Sequence, residues 1–585
     1  MNEPEPPNHE QKKPSSRSIS GLAWALLLFG ISFLILCGIG LVADQNARGL
    51  SVPLMALIVS ATLSLLGCAL VIFSRWLRRP HNFRRFLFVF ACLATLLALA
   101  YAEENWRGKY QWLKYRRGLE AKGEKFDIAA LLPPQVPDDK NFAMTPLLKP
   151  ALDLNQGPNG VVWNDTNGVA RLEKISAELP MPDAGHGHLE LGSLEKGTFA
   201  DIDACAEFYR GNTNYPQAST SAAPAETIIT ALDKFAPELQ ELREAARARP
   251  YSRFPIHYEA QPCWGILLPH LARVKTLTAL LEVRAIAELE AGRADAAFEE
   301  LKAGFRFSDS IRDEPFLIDH LVRLATTAIN LQAIREGLAR HAWNDAQLAE
   351  FENYLKDLNL LAEYKHALIG ERAFSVSGLE YLRRVRSTEL ERMVEDNSQG
   401  GSGLSALLFR IVPSGWFYQN MLTISRVHQE LILPAVNERD HSVSISLTER
   451  EQQVARQFRA GPYTIFAKLL MPSLGNAIRR SARTQTYVDA ARVGCALERY
   501  RLATGNLPET LDKLCPRFLD TLPKDVIDGK PLRYQPASNG DYLVYSIGWN
   551  QTDDGGRMAF GRKDKRDSVD LTRGDWVWEM TSKHS

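Results

Sequence analysis

The sequence predicts a mainly α protein: three membrane-crossing helices, then a helical domain, then a smaller α+β module. Three observations predict it. Residues 21–43, 52–73 and 86–102 contain no Lys, Arg, Asp, Glu or His, and uncharged runs of about 17–23 residues match the roughly 20 that a helix needs to cross a hydrocarbon core. From about residue 225 apolar side chains recur at helical spacing. Over the last 120 or so residues a long helical pattern gives way to alternating strands.

With 585 residues the chain is too long for one core, so two or three packed units are expected after the anchor. Its 69 basic and 69 acidic residues cancel, which gives no electrostatic support to a nucleic-acid role. The expected order is a cytoplasmic tail (1–19), a three-helix anchor (20–102) and an irregular Pro/Gly-rich region (103–224). A helical domain (225–462) and a C-terminal module (463–585) follow.

Orientation follows from basic residues in short connectors. Arg75, Arg78, Arg79, Arg84 and Arg85 lie between the second and third runs, and Lys12, Lys13 and Arg17 precede the first. Both segments are expected in the cytoplasm of a bacterial cell, which places the large C-terminal part on the outer side of the inner membrane. Arg107, Lys109, Lys114, Arg116 and Arg117 oppose this, but charge leading a long translocated domain counts for less. Trp106, Tyr110, Trp112 and Tyr115 suit an interfacial aromatic belt. The first run is longer than a signal-peptide core and lacks a small-x-small exit. None of the runs carries the ionisable groups of a transport path, so anchoring is their expected role.

Cys37, Cys68 and Cys92 lie in the runs, whereas Cys205, Cys263, Cys495 and Cys515 lie beyond them. No C-x-x-C spacing occurs, so neither zinc nor thioredoxin-like chemistry is indicated. In the irregular region, Pro133-Pro134-Gln135-Val136-Pro137 and Gln156-Gly157-Pro158-Asn159-Gly160 resist regular helix. His186 and His188 sit in a Gly-rich turn without a third ligand, a pattern expected of an exposed loop. A short helix is expected around residues 200–209.

Within the helical domain Leu267, Leu271, Val274, Leu281 and Leu289 share one face. A helix is expected over 315–340, with proline in its first turn. Asn344-x-x-Gln347 and Thr448-x-x-Glu451 read as capping boxes. Residues 397–403, Asn-Ser-Gln-Gly-Gly-Ser-Gly, read as a flexible loop. The stretch Gly292-Arg293-Ala294-Asp295-Ala296-Ala297-Phe298-Glu299-Glu300-Leu301 resembles the centre of a tetratricopeptide repeat, with Gly292 turning the chain and Ala297 admitting the second helix. One copy makes a helical hairpin, not an array.

In the C-terminal module a helix over 472–503, striped by Val493, Leu497 and Tyr500, ends at Gly505-Asn506. A short helix is expected at 507–511, then strands at 530–535 and 541–546 split by Ser538-Asn539-Gly540, and a last strand near 576–579. Ala496-Leu497-Glu498-Arg499-Tyr500-Arg501-Leu502-Ala503-Thr504-Gly505-Asn506-Leu507-Pro508, Asp528-Gly529-Lys530-Pro531-Leu532-Arg533-Tyr534 and Tyr545-Ser546-Ile547-Gly548-Trp549-Asn550 carry a family likeness. This order resembles the C-terminal domain of the major pseudopilin of type II secretion. The whole arrangement resembles a family of bacterial membrane-anchored proteins that end in such a module, which implies no activity. No long apolar stem leads into the module, because residues 463–474 are few, include Lys468 and are broken by Pro472.

The pseudopilin resemblance implies calcium in the loop after the second strand, where Asn550, Thr552, Asp553 and Asp554 offer oxygens and Gly555-Gly556 allows a tight turn. An ordinary Asp-Gly turn explains the same residues without an ion. The resemblance also sets Cys495 near Cys515, since the elements bearing them pack together in that fold. A bridge there would close about 20 residues and stabilise by roughly 3 kcal/mol in the chain-entropy account, and two thiols in contact are the other reading.

H-E-x-x-H, the P-loop, G-x-S-x-G and the dinucleotide fingerprint are all missing from the sequence. His257, His270, His320, His366 and His428 are expected as packed helix residues, and the acids Glu299, Glu300 and Asp309 to Glu314 as solvated helix faces. No catalytic residue and no cofactor other than calcium is indicated. The expected function is a membrane-anchored, extracytoplasmic interaction or scaffold protein with a partner in an envelope or secretion assembly. The alternative is an envelope hydrolase or small-ligand-binding protein with a pocket between the helical domain and the module.

Overall fold

A computed structural model describes residues 30, 60–62, 65–66, 69–70, 72–157, 160–178, 191–260, 263–385, 412–457, 459, 461–470, 474–537, 540–563 and 566–580. The chain forms two compact units, Met1–Glu103 and Glu104–Ser585. The fold is mainly helical with several small antiparallel sheets.

In the first unit, Pro80 begins α1 (Pro80–Glu120), whose early part leaves Phe88 and Leu97 exposed. Among the described residues it is the one helix long and apolar enough to cross a membrane. The first expected span lies outside the described residues except for Gly30, and the second is described only in part, as helix. The 397–403 loop, His186 and His188 also lie outside them.

The second unit opens on the rest of α1, which continues as regular helix where irregular chain was expected. The reason is a buried face: Gly108, Trp112 and Leu119 pack inward. A Cβ at Gly108 would sit 2.7 Å from the Gly415 carbonyl oxygen. One at Gly415 would sit 2.2 Å from that of Glu104, so two glycines make this helix contact feasible. Trp112, expected in an interfacial belt, instead meets the Phe126 ring edge-on at 5.7 Å.

Residues 121–223 are loop-rich. They contain the hairpin β1 (Leu154–Gly157) with β2 (Gly160–Trp163), α2 (Thr166–Glu178), and the pair β3 (Leu191–Ser193) with β4 (Thr198–Ala200). α3 (Ile202–Arg210) is the short helix expected there, and the Asp201 side chain accepts from the Ala204 amide to cap it.

Helices then dominate: α4 (Pro224–Leu232), α5 (Ala236–Ala248), α6 (Pro269–Glu290), α7 (Ala294–Asp309), α8 (Leu317–Ala339), α9 (Asp345–Lys356) and α10 (Leu360–Arg384). α6 and α7 form a hairpin turned at Gly292, whose φ of 75° suits glycine. Leu271, Val274, Leu281 and Leu289 are buried as their spacing requires, and Ala297 is fully enclosed. The Asn344–Gln347 capping box forms in both directions at 3.0 and 3.1 Å.

α11 (Ser414–Val427) and the two-residue pair β5 (Val436–Asn437) with β6 (Ser442–Val443) lead to α12 (Ile445–Gln457). The capping box expected at Thr448 and Glu451 does not start this helix. Ser444 takes that place, its hydroxyl accepting from the Leu447 amide at 3.4 Å. Thr448 bonds back to the Ser444 carbonyl at 3.0 Å from inside the helix.

After α13 (Ile465–Leu470), the 31-residue α14 (Leu474–Thr504) ends at Gly505 with φ 84°. It packs on a three-stranded sheet of β7 (Arg533–Pro536), β8 (Tyr542–Ser546) and β11 (Trp576–Met580), ordered β11-β8-β7 and antiparallel throughout. A further pair, β9 (Met558–Lys563) with β10 (Arg566–Gly574), occupies a stretch where no element was expected. The short turn expected at 507–511 forms later, as 3-10 helix over Leu511–Leu514.

Residues on both sides of the expected 462/463 boundary share one core. Leu338, Trp343 and Phe351 pack with Val488, Cys495 and Leu497 of α14 and with Trp578 of β11.

Candidate functional site

A groove of about 270 Å³ lies where α5, α7 and α9 meet. Helical spacing builds its floor: Phe298 and Phe305 are seven residues apart on α7, and Phe351 and Tyr354 three apart on α9. Phe298 meets Phe351 edge-on at 4.9 Å, and Phe305 lies 4.3 Å from Tyr354. The rim is charged and mixed in sign. Arg247 bonds Glu299 at 2.5 Å, and Lys302 reaches Glu299 and Glu350 at 3.5 and 3.4 Å while its ammonium lies 5.4 Å from the Phe298 ring centre.

Deeper in, the Tyr354 hydroxyl donates to Asp309 at 2.9 Å, and burial raises its phenol well above the usual range. Asp309 also accepts from Arg312 at 2.9 Å and pairs with Arg323 at 2.8 Å. Arg306 donates to the Arg249 and Tyr251 carbonyls. The rings of the floor offer an apolar group a place among polar neighbours.

Two acids expected on solvated faces, Glu300 and Glu314, are buried, as is Asp319, while Glu371 is half-buried; nothing was expected of these last two. Glu300 is nearly enclosed between Arg243 at 2.5 Å and Arg284 at 3.2 Å, and desolvation raises its pKa. Glu314 accepts from the Tyr258 hydroxyl, and burial pushes it up to about 8. Asp319 accepts from the Phe316 amide at 3.2 Å, with burial raising it to about 7. Glu371 accepts from the Leu317 amide at 3.0 Å. Asp319 and Glu371 thus serve the exposed amides at the start of α8. The cations around Glu300 come from α5 and α6, so no spacing near Glu300 in the sequence reports its burial.

The histidines are packed or paired. His270 stacks on Phe254 at 4.1 Å, His320 bonds Ser481 at 2.9 Å and His428 bonds the Ile424 carbonyl at 3.0 Å. Burial lowers them to about 3, 3 and 4 respectively. His257 is exposed beside Glu259 at 3.1 Å.

In the loop after β8, the Asn550 amide donates to Asp554 at 2.9 Å, and the Thr552 amide bonds Asn550 at 3.3 Å. Asp553 accepts from the Gly555 amide at 3.0 Å. Asp575, outside the expected set, closes the loop by accepting from the Asp554 and Gly556 amides at 3.2 and 2.7 Å. These oxygens already serve N–H donors, and an Asn550 N–H faces Asp554 where a cation would need oxygen. Among the described residues no three His, Cys, Asp or Glu side chains converge as a metal site. The donor set here fits a hydrogen-bonded turn better than a calcium ion.

Cys495 and Cys515 are both free thiols bordering one core, Cys495 enclosed and Cys515 half-buried. Desolvation raises both pKa values, which leaves little thiolate at neutral pH. Where the alternative reading expects a pocket, the seam between α14 and the central helices is packed by Leu338, Trp343, Leu497 and Trp578, and a cavity of only about 10 Å³ lies between Tyr364, Glu451 and Ile478. No family model, curated protein or solved structure matches the chain.

Proposed function

We propose that the chain is a membrane-anchored interaction or scaffold protein whose α5/α7/α9 groove receives an apolar side chain of a protein partner. The observation that carries it is the groove itself: an aromatic floor and a rim of paired charges. Such a surface suits recognition, with rings supplying contact area at little entropic cost. The α6/α7 hairpin is read as tetratricopeptide-like, supported by the Gly292 turn and the enclosed Ala297.

The wider setting belongs to the same reading: three spans in a bacterial inner membrane, the second unit outside the cytoplasm, and a partner in an envelope or secretion assembly. α14 lying on an antiparallel sheet supports a pseudopilin-like C-terminal module. The packed seam weighs against the hydrolase or ligand-binding alternative. Quantitative affinity purification from solubilised membranes tests the proposal, comparing the native chain with the Arg247→Glu/Lys302→Glu variant. A reproducible partner that the variant loses is the expected result. An identical partner set, or no partner, would defeat it.

A further inference from the structure

We infer that the exposed face of the last turns of α1 from Trp106, with Lys122 and Arg426 beside it, binds the headgroups of anionic phospholipids. The inference rests on the membrane-anchored reading above. Residues 106–118 hold Arg107, Lys109, Lys114, Arg116 and Arg117 and no Asp or Glu. Among the described residues Lys109, Lys114, Arg117, Lys122 and Arg426 are exposed and enter no ion pair. A surface ammonium without a carboxylate partner remains available to an external anion.

The aromatic residues divide between the two faces of the helix. Trp112 is fully buried, while Trp106 and Tyr110 are exposed and stacked at 5.7 Å. Together with Lys114, Lys122 and Arg426 these rings line a shallow concavity of about 820 Å³. A free phosphate has no use for two exposed rings. A lipid headgroup does, because indole and phenol rings settle where hydrocarbon meets water while cations meet the phosphates. Sequence position favours lipid too: Trp106 comes four residues after the uncharged run that ends at Ala102. The basic cluster that opposes the outward assignment by simple counting thus acquires a role of its own.

Native mass spectrometry of the detergent-solubilised full chain tests this, with phosphatidylglycerol or phosphatidylcholine added at equal concentration. The native chain should retain phosphatidylglycerol about tenfold better at low salt. That preference should fall with added salt and vanish in Lys109→Gln/Lys114→Gln/Lys122→Gln, whose exposed side chains leave the fold unaffected. Equal retention of both lipids, or a preference that survives the triple substitution, overturns the inference. Carbonate washing of membranes bearing the native chain separates the two readings. Extraction of the protein would sink the membrane anchor itself, whereas retention without lipid preference would sink the headgroup site alone.

Discussion

The C-terminal module and the loop-rich stretch between residues 121 and 223 both attach to the central helices by apolar burial, but the loop-rich stretch adds a second means. The module attaches through apolar burial: Cys495, Leu497 and Trp578 enter one core with Leu338 and Trp343. The loop-rich stretch is also held by buried arginines. Arg335 of α8 donates to the Gly197 and Thr198 carbonyls at 2.7 and 3.2 Å and lies 3.9 Å from the Phe199 ring centre. It also reaches the Glu579 carbonyl at 3.0 Å. Arg372 of α10 bonds Glu124 at 2.7 Å and the Lys125 carbonyl at 3.1 Å, above Phe126. Arg483 of α14 reaches the Glu195 carbonyl at 2.7 Å. Irregular chain has carbonyls with no ladder to join, and a guanidinium with five donors can satisfy several at once.

Breaking an arginine clamp should have the largest effect. Arg372→Ala strips Glu124 and the Lys125 carbonyl of their partner and should destabilise by about 3–5 kcal/mol, measured by thermal or denaturant unfolding in detergent. A loss below about 1 kcal/mol would show that the loop-rich stretch is not held this way. Leu497→Ala, a cavity in the shared core, should cost about 2–5 kcal/mol. Its unfolding should remain one cooperative transition, since the module and helices share that core. Two separated transitions would contradict this.

The pH profile sharpens the comparison next. His270, His320 and His428 are held neutral with lowered pKa, so their contribution is present above about 6.5 and is lost as pH falls toward 4 and 3. Glu314 and Asp319 are raised to about 8 and 7, so theirs is present below about 4 and is lost as pH rises through 7 to 8. Stability should therefore decline on both sides of a weakly acidic plateau. Glu314→Gln should flatten the limb between pH 6.5 and 8, and an unchanged slope there would remove Glu314 from the account. Asn344→Ala, which opens a cap at the start of α9, should cost about 1 kcal/mol. Calcium should leave the melting temperature unaltered if the Asn550–Asp575 hydrogen bonds are as described, and a rise of several degrees would restore a calcium loop.

Legibility in the sequence follows the same division. Helical periodicity located α6, α8 and α14, and strand alternation located β8 and β11, because each depends on a local repeat. The β9–β10 pair escapes the sequence reading, since its apolar alternation is confined to Met558–Phe560 and Val569–Leu571 and its strands flank no recognisable turn pair. Thr448-x-x-Glu451 misled because Ser444, four residues before Thr448, also has a capping hydroxyl. Of the candidate groove, Phe298 and Glu299 belong to the hairpin segment and Asp309 to an acidic run read as solvated, and the other lining residues carry no signal of their own. Its other wall comes from α5 and α9, and no spacing within one segment reports which helices meet.

The central claim, that the α5/α7/α9 groove receives a protein partner, is tested most directly by photo-crosslinking in intact membranes. A photoreactive residue at position 302, on the groove rim, is compared with one at position 513, exposed on the Leu511–Leu514 turn. The account predicts a single adduct of defined mass from position 302 and none from position 513. Equal labelling from both positions, or none from either, would contradict it.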